Sequence, residues 1–323
     1  MDKEVCENVV TVSNTKKLRT ENVVKGWEKL DTDILMRIFQ NYFSIGELTS
    51  GLAHVCRGWR AVCCDPVLWY TLDLSHMKSI FIKTKKEPYV YVERRFDKYL
   101  TRILKLSMNL SKGNTRTLIF HFNLFLTDDM LVYTTKRCPN LRRLVLPAMN
   151  RMKDMGICNA LSFCKNLESL TMPSILESHI VFSSIVNRKT FRELKVMGHI
   201  DLFFAQNVVQ CLPNLKVLSL RCNEINRDAL LVILDKLESL EVLNISHSYL
   251  VVTQQHPEKK KIIVRELDQA IMEKASKLKR FVTCMEHKTC VMCQRTDKDE
   301  GIMRWYMYEE GLWLADEVSS LHL

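Results

Sequence analysis

Four side chains of metal-ligand type crowd into ten residues near the C-terminal end: Cys284, His287, Cys290 and Cys293, each two residues removed from the next. Thiolate and imidazole at that density suit zinc, which favours a tetrahedron of sulfur and nitrogen. Structural zinc sites usually bring two ligand pairs together across a longer loop, however, and so short a segment leaves little freedom for the geometry. These residues are therefore read as small buried or half-buried thiols of a capping segment, and neither metal nor cofactor is expected. No other grouping suggests catalysis: there is no GxSxG elbow, P-loop, GxGxxG or HExxH, and only 9 glycines and 7 prolines. The expectation is a protein that is not an enzyme.

The remaining thiols fit a reducing compartment. Of 12 cysteines, Cys56, Cys63, Cys138, Cys158, Cys164 and Cys211 sit in apolar helical patterns, where a thiol acts as a small hydrophobe. The opening residues MDKEVCENVV carry acids where a secretory signal needs an apolar run. No stretch reaches the ~18 apolar residues of a membrane span. The cytoplasm, the nucleus or both are the expected location, without membrane contact.

A net charge of +10 would suggest nucleic acid if it were spread evenly. It is not: residues 1–75 carry −1, residues 76–200 carry +13 and residues 201–323 carry −2. The excess includes Lys78, Lys83, Lys85, Lys86, Arg94, Arg95, Lys136, Arg137, Arg142 and Arg143. No nucleic-acid motif accompanies it, so a solvated face is the preferred reading and a basic nucleic-acid surface a subordinate one.

Two kinds of element must position whatever the chain does. Between Trp27 and Ser75, Leu30, Ile34, Leu35, Ile38 and Phe39 repeat at helical spacing, with Asp31 and Asp33 at the start. A second helical pattern leads into Leu52, Val55, Cys56, Trp59, Val62 and Cys63, and Asp65-Pro66 stops it. Three helices of about forty residues bury little area, which points to a docking module.

From Thr115 onward a phrase recurs. CPNLRRLVLP, CKNLESLTMP, TFRELKVMGH, LPNLKVLSLR and LESLEVLNIS align on Leu141, Leu167, Phe191, Leu215 and Leu240, spaced by 26, 24, 24 and 25 residues. That is the leucine-rich-repeat period with its L-x-x-L-x-L strand. Degenerate copies surround Leu118 with Phe120, and Leu278 with Phe281. Amphipathic stretches at Asp128 to Arg137, Ser178 to Val186, Leu202 to Leu212 and Arg227 to Leu237 read as the intervening helices. Asn223 falls where an amide would satisfy backbone groups of the turn; Met149, Ile175, His199 and Ser248 occupy the equivalent positions. The charged stretch HPEKKK lengthens the last interval and reads as a surface loop.

The first module resembles the F-box: Leu30-x-x-x-Ile34-Leu35-x-x-Ile38-Phe39, Val55-Cys56-Arg57-x-Trp59-Arg60 and Asp65-Pro66-x-Leu68-Trp69 match it in order and spacing, with Asp31 where a proline is common. The whole chain from Trp27 resembles small plant F-box proteins with leucine-rich repeats. The resemblance implies an α/β fold: a three-helix F-box followed by a solenoid with a curved parallel sheet on its concave face and helices on the convex one. The expected organisation is a polar leader over 1–26, the F-box over 27–75, a linker and connecting helix over 76–113, repeats over 114–285 and a capping tail over 286–323.

By the same resemblance the chain is a non-catalytic substrate receptor of an SCF-type ubiquitin ligase, meeting a Skp-type adaptor and through it cullin and RING subunits. Leu30, Asp31, Ile34, Leu35, Ile38, Val55 and Trp59 would supply the adaptor-facing or supporting surface. The outward strand positions Arg143, Val145, Ser169, Thr171, Lys195, Val217, Ser219 and Asn244 would meet an unknown protein substrate. A repeat scaffold outside any ligase is the alternative.

Overall fold

Short helices open the fold because capping residues start and stop them at every few turns. In the computed structural model the described residues are 26–293, apart from 78, 83–89, 93–94, 122–123, 148–151, 174–177, 187, 255–259, 265, 285–289 and 291–292. A 3-10 turn at Trp27–Lys29 leads into α1 (Thr32–Tyr42), α2 (Ile45–Ser50) and α3 (Arg57–Cys63), with further 3-10 turns at Leu52–His54 and Pro66–Trp69. Asp31 caps α1 by accepting from the Asp33 amide at 3.0 Å, so it does the work expected of it in place of proline. Ser44 and Glu47 form a reciprocal capping box on α2.

The strands begin before the module ends. β1 (Thr71–Leu74) is followed by the hairpin of β2 (Ile80–Ile82) and β3 (Val90–Val92), and then by α4 (Arg95–Ser111). Strand and helix then alternate: β4 (Thr117–Phe120), α5 (Asp128–Lys136), β5 (Arg143–Val145), α6 (Asp154–Phe163), β6 (Ser169–Pro173) and α7 (Ser178–Ser183). Next come β7 (Glu193–Met197), β8 (His199–Ile200), α8 (Leu202–Cys211), β9 (Val217–Ser219), β10 (Glu224–Asn226), α9 (Arg227–Lys236) and β11 (Val242–Asn244). β12 (Tyr249–Gln254), β13 (Lys260–Val264), α10 (Gln269–Ala275) and β14 (Arg280–Val282) complete the described elements.

One eight-stranded parallel sheet runs β1-β4-β5-β6-β7-β9-β11-β14, and the helices lie against it side by side. Its register is a ladder of leucines: Leu72, Leu118, Leu144, Leu170, Leu194, Leu218 and Leu243 are mutual partners, all fully buried. Each strand exposes an apolar edge that only its neighbour covers, so stacking is the source of stability. Neighbouring Val217 and Val242 form a separate small cluster, as expected of side chains on the opposite face of the sheet.

Residues 27–75 reach into the array: β1 within them pairs Leu72 with Leu118, and one continuous core runs from Leu35 to Ile271. One sequence expectation is corrected here. The HPEKKK stretch is not wholly loop: Lys260 and Lys261 lie in β13, which pairs antiparallel with β12, while residues 255–259 lie outside the described residues. β12 also extends a smaller sheet ordered β13-β12-β10-β8.

Candidate functional site

The first candidate surface lies on the helical module. Spacing of three and four residues puts Ile34, Ile38 and Tyr42 on one face of α1, while Leu35 and Phe39 point the other way into the core. Ile34 is 50% exposed, Val55 60% and Leu35 2%. Leu30, Ile38 and Trp59 are half-buried and pack on the core from its rim. The Trp59 ring meets Phe39 edge-on at 5.2 Å, and its indole N–H donates to the Trp27 carbonyl at 3.3 Å. Thus the seven residues named from sequence divide into exposed Asp31, Ile34 and Val55, half-buried Leu30, Ile38 and Trp59, and buried Leu35.

Leu35 takes a supporting place, in the core that holds the helices together. Two residues that the sequence reading missed join the exposed set, Trp27 and Tyr42. The i, i+4, i+8 spacing from Ile34 could have found Tyr42. Of the ten large apolar side chains exposed among the described residues, five fall within residues 27–75. Half of the exposed large apolar side chains thus fall in this one short module.

The second candidate surface is the face of the sheet opposite the leucine ladder. Arg143, Ser169, Glu193 and Val217 form one cross-strand row, and Val145, Thr171, Lys195, Ser219 and Asn244 the next. The expected residues therefore do share a face. They are not the open face expected: Val145, Ser169, Thr171, Lys195, Val217 and Ser219 are buried, and Arg143 and Asn244 half-buried. Parallel strands set these side chains shoulder to shoulder, so each is covered in part by its neighbours.

The turn leaving the strands carries the polar chemistry of the repeats. Asn223 is fully buried; its amide donates to the Val196 carbonyl at 2.7 Å and its carbonyl accepts from the Gly198 amide at 2.6 Å. Ser248, its counterpart in the next repeat, accepts from the Asn223 amide at 3.0 Å and donates to the Leu220 carbonyl at 2.8 Å. Gly198, Cys222 and His247 hold positive φ at matching positions of three successive turns.

Much of the described basic charge is structural. Arg188 donates to the carbonyls of Leu161 (2.8 Å), Ser184 (2.9 Å) and Cys164, closing the C-terminal ends of α6 and α7, and burial lowers its pKa. The Arg137 guanidinium sits 3.9 Å from the Tyr133 ring centroid, and Arg142 pairs with Glu168 at 3.5 Å. Lys78, Lys83, Lys85, Lys86 and Arg94 lie outside the described residues.

Burial disfavours the thiolate at several described cysteines, pushing Cys138 and Cys164 up to about 12 and Cys63 to about 11. The C-terminal cysteines differ. Of the four residues grouped in the sequence, Cys284, Cys290 and Cys293 lie among the described residues and His287 outside them. Cys284, two residues beyond β14, meets Cys290 and Cys293 at the His247 imidazole, and the four ligand-type atoms lie within 4.8 Å of one another. The distance between Cys284 and His247 in sequence concealed this pairing.

Comparison with known proteins agrees with both halves of the architecture. The F-box-like family profile matches residues 27–75. An F-box/LRR-repeat protein of Arabidopsis thaliana is 66% identical over 301 residues, covering 93% of this chain and 97% of the relative. The F-box protein SKIP19 of the same plant is 25% identical over 235 residues, covering 69% of this chain and 70% of the relative. No helix among the described residues is long and apolar enough to cross a membrane. An F-box whose last strand opens a leucine-ladder sheet, in a chain so similar to a plant relative along nearly its whole length, places the protein in the plant F-box/LRR-repeat family.

Proposed function

We propose that the chain is a non-catalytic substrate receptor of an SCF-type ubiquitin ligase. Its F-box docks on a Skp-type adaptor, which carries cullin and RING subunits, and its repeats hold the protein to be modified. The observation that carries the reading is the exposed apolar surface of the F-box, with Ile34 and Val55 outward while Leu35 and Phe39 build the core beneath. Transfer would then proceed by proximity, an acceptor lysine being held near the charged conjugating enzyme at raised effective concentration. The similarity to F-box and F-box/LRR-repeat proteins supports the same class of role.

Ile34→Asp with Val55→Asp should lower capture of a plant Skp-type adaptor by more than about tenfold, because charge in the centre of an apolar contact is not solvated there. Circular dichroism of the double variant should match the parent, since both side chains are exposed. Full capture by a folded double variant would sink the assignment of this face. On the substrate side, Arg143 and Asn244 are two of the expected contact residues that still reach the surface. Arg143→Glu with Asn244→Lys should reduce substrate recovery from cells while leaving adaptor capture intact.

A further inference from the structure

We infer that His247, Cys284, Cys290 and Cys293 bind a structural zinc ion that closes the C-terminal end of the repeat array. In a zinc tetrahedron with Zn–S of about 2.3 Å and Zn–N of about 2.0 Å, sulfurs stand about 3.8 Å apart and nitrogen about 3.6 Å from each sulfur. Cys284 Sγ and Cys290 Sγ are 3.7 Å apart. His247 Nδ1 lies 3.1 Å from Cys284 Sγ, 3.3 Å from Cys290 Sγ and 3.9 Å from Cys293 Sγ. None of the three thiols is in a disulfide.

The surroundings suit a closed thiolate site. Cys293 is buried and the other three are half-buried. The His247 backbone amide donates to Cys284 Sγ at 3.3 Å, a hydrogen bond that offsets the surplus negative charge of three thiolates on one divalent ion. Three soft sulfurs and one imidazole nitrogen select zinc over hard cations. With four protein ligands there is no open position, so the ion would be structural rather than catalytic. Ligand spacing also becomes ordinary: three cysteines within ten residues are joined by a histidine 37 residues before the first of them.

His247 reaches the cluster from the left-handed position, φ 59°, of the turn after β11. Cys284 follows β14, the neighbouring and last strand of the sheet. The ion would therefore tie the final two repeats to the segment beyond them, at the end where no further strand is found among the described residues. Metal loading would displace the thiol protons, so the site would empty as pH falls.

The test is elemental analysis of the full-length chain, purified reduced and without chelator, with substitutions that separate the two histidines. One zinc per chain is expected, as is the absorption of a tetrahedral sulfur-rich site on cobalt exchange. Cys290→Ser and His247→Asn should lose the metal, asparagine being chosen because it tolerates positive φ. His287→Ala and Cys222→Ser should keep it. Chelation of the parent protein should lower its melting midpoint, and added zinc should restore it, so the inference does not rest on variants that fail to fold. Substoichiometric zinc in the reduced parent, retention by His247→Asn, loss by His287→Ala, or a disulfide among the three cysteines would each overturn it.

Discussion

Asn223 and Leu218 sit five residues apart in one repeat and are held by different forces. Leu218 is fully buried in the leucine ladder, so aspartate there places an unpaired carboxylate against Leu194 and Leu243 and should unfold the neighbouring repeats. Asn223→Ala strands the Gly198 amide and the Val196 carbonyl and should cost less, about 1–3 kcal/mol. Equal denaturant midpoints for the two variants would show the strand register to be wrong. Arg188 had no motif to announce it, yet it closes helix ends with three backbone carbonyls. Arg188→Ala should lower stability by about 2–3 kcal/mol, since these are charge-assisted bonds at a half-buried site. A substitution that left the urea midpoint unchanged would show that water replaces the guanidinium without loss.

At the scale of elements, the strand starts carry a ladder of charge outside the ladder of leucines. Glu241 joins Lys216 and Lys279, each at 2.7 Å, from the two flanking repeats. Hydrogen bonds from Lys216 and then Lys279 hold its carboxyl down to about 2, against an ordinary 4.5. A depressed carboxylate pKa contributes stability that is complete above the unfolded-state value and is lost as pH falls through the folded-state value. The melting midpoint of the parent should therefore fall below pH 4.5 more steeply than that of Glu241→Gln, the difference closing near pH 2. The effect should be small and should shrink in salt, because Lys279 is well exposed. Parallel pH slopes for the two proteins would mean that the bridges contribute nothing.

For the whole molecule, the F-box and the array share one continuous core, so they should unfold together. Leu72 and Leu74 of β1 are fully buried, Arg116 and Thr117 donate their amides to the Tyr70 carbonyl, and Thr115 Oγ1 donates to the Trp69 carbonyl at 3.1 Å. A chain beginning at residue 76 loses that strand and leaves Leu118 at an open edge. It should melt well below the full chain or aggregate, and Leu35→Asp should disturb array and F-box together. An unchanged array melting midpoint, followed by calorimetry of the two proteins, would instead establish independent units.

The repeats and the F-box were legible because their signals are local. A period of 24–26 residues and the VCRxWR and DPxLW phrases can be read without knowing what touches what. The same locality explains the capping success at Asp31 and the correct choice of Asn223, since a cap or a turn is settled within one helix end or one strand exit. Other choices depended on partners far along the chain. Periodicity marks Ile34 and Leu35 alike as apolar, and only the packing of α1 on α3 and Phe39 turns one outward and the other in. Strand alternation assigned the concave rows to one face, but the burial of Lys195 to 1% exposure depends on tertiary neighbours that alternation does not reveal. Spacing could not show that His247 meets Cys284, because the stacking of β11 on β14 delivers it from 37 residues away. Sequence by itself determined the repeating elements and their order, since each is specified by residues adjacent in the chain. Tertiary structure alone decided exposure and the cysteine–histidine cluster, since those are fixed by which distant residues the stacked strands bring side by side.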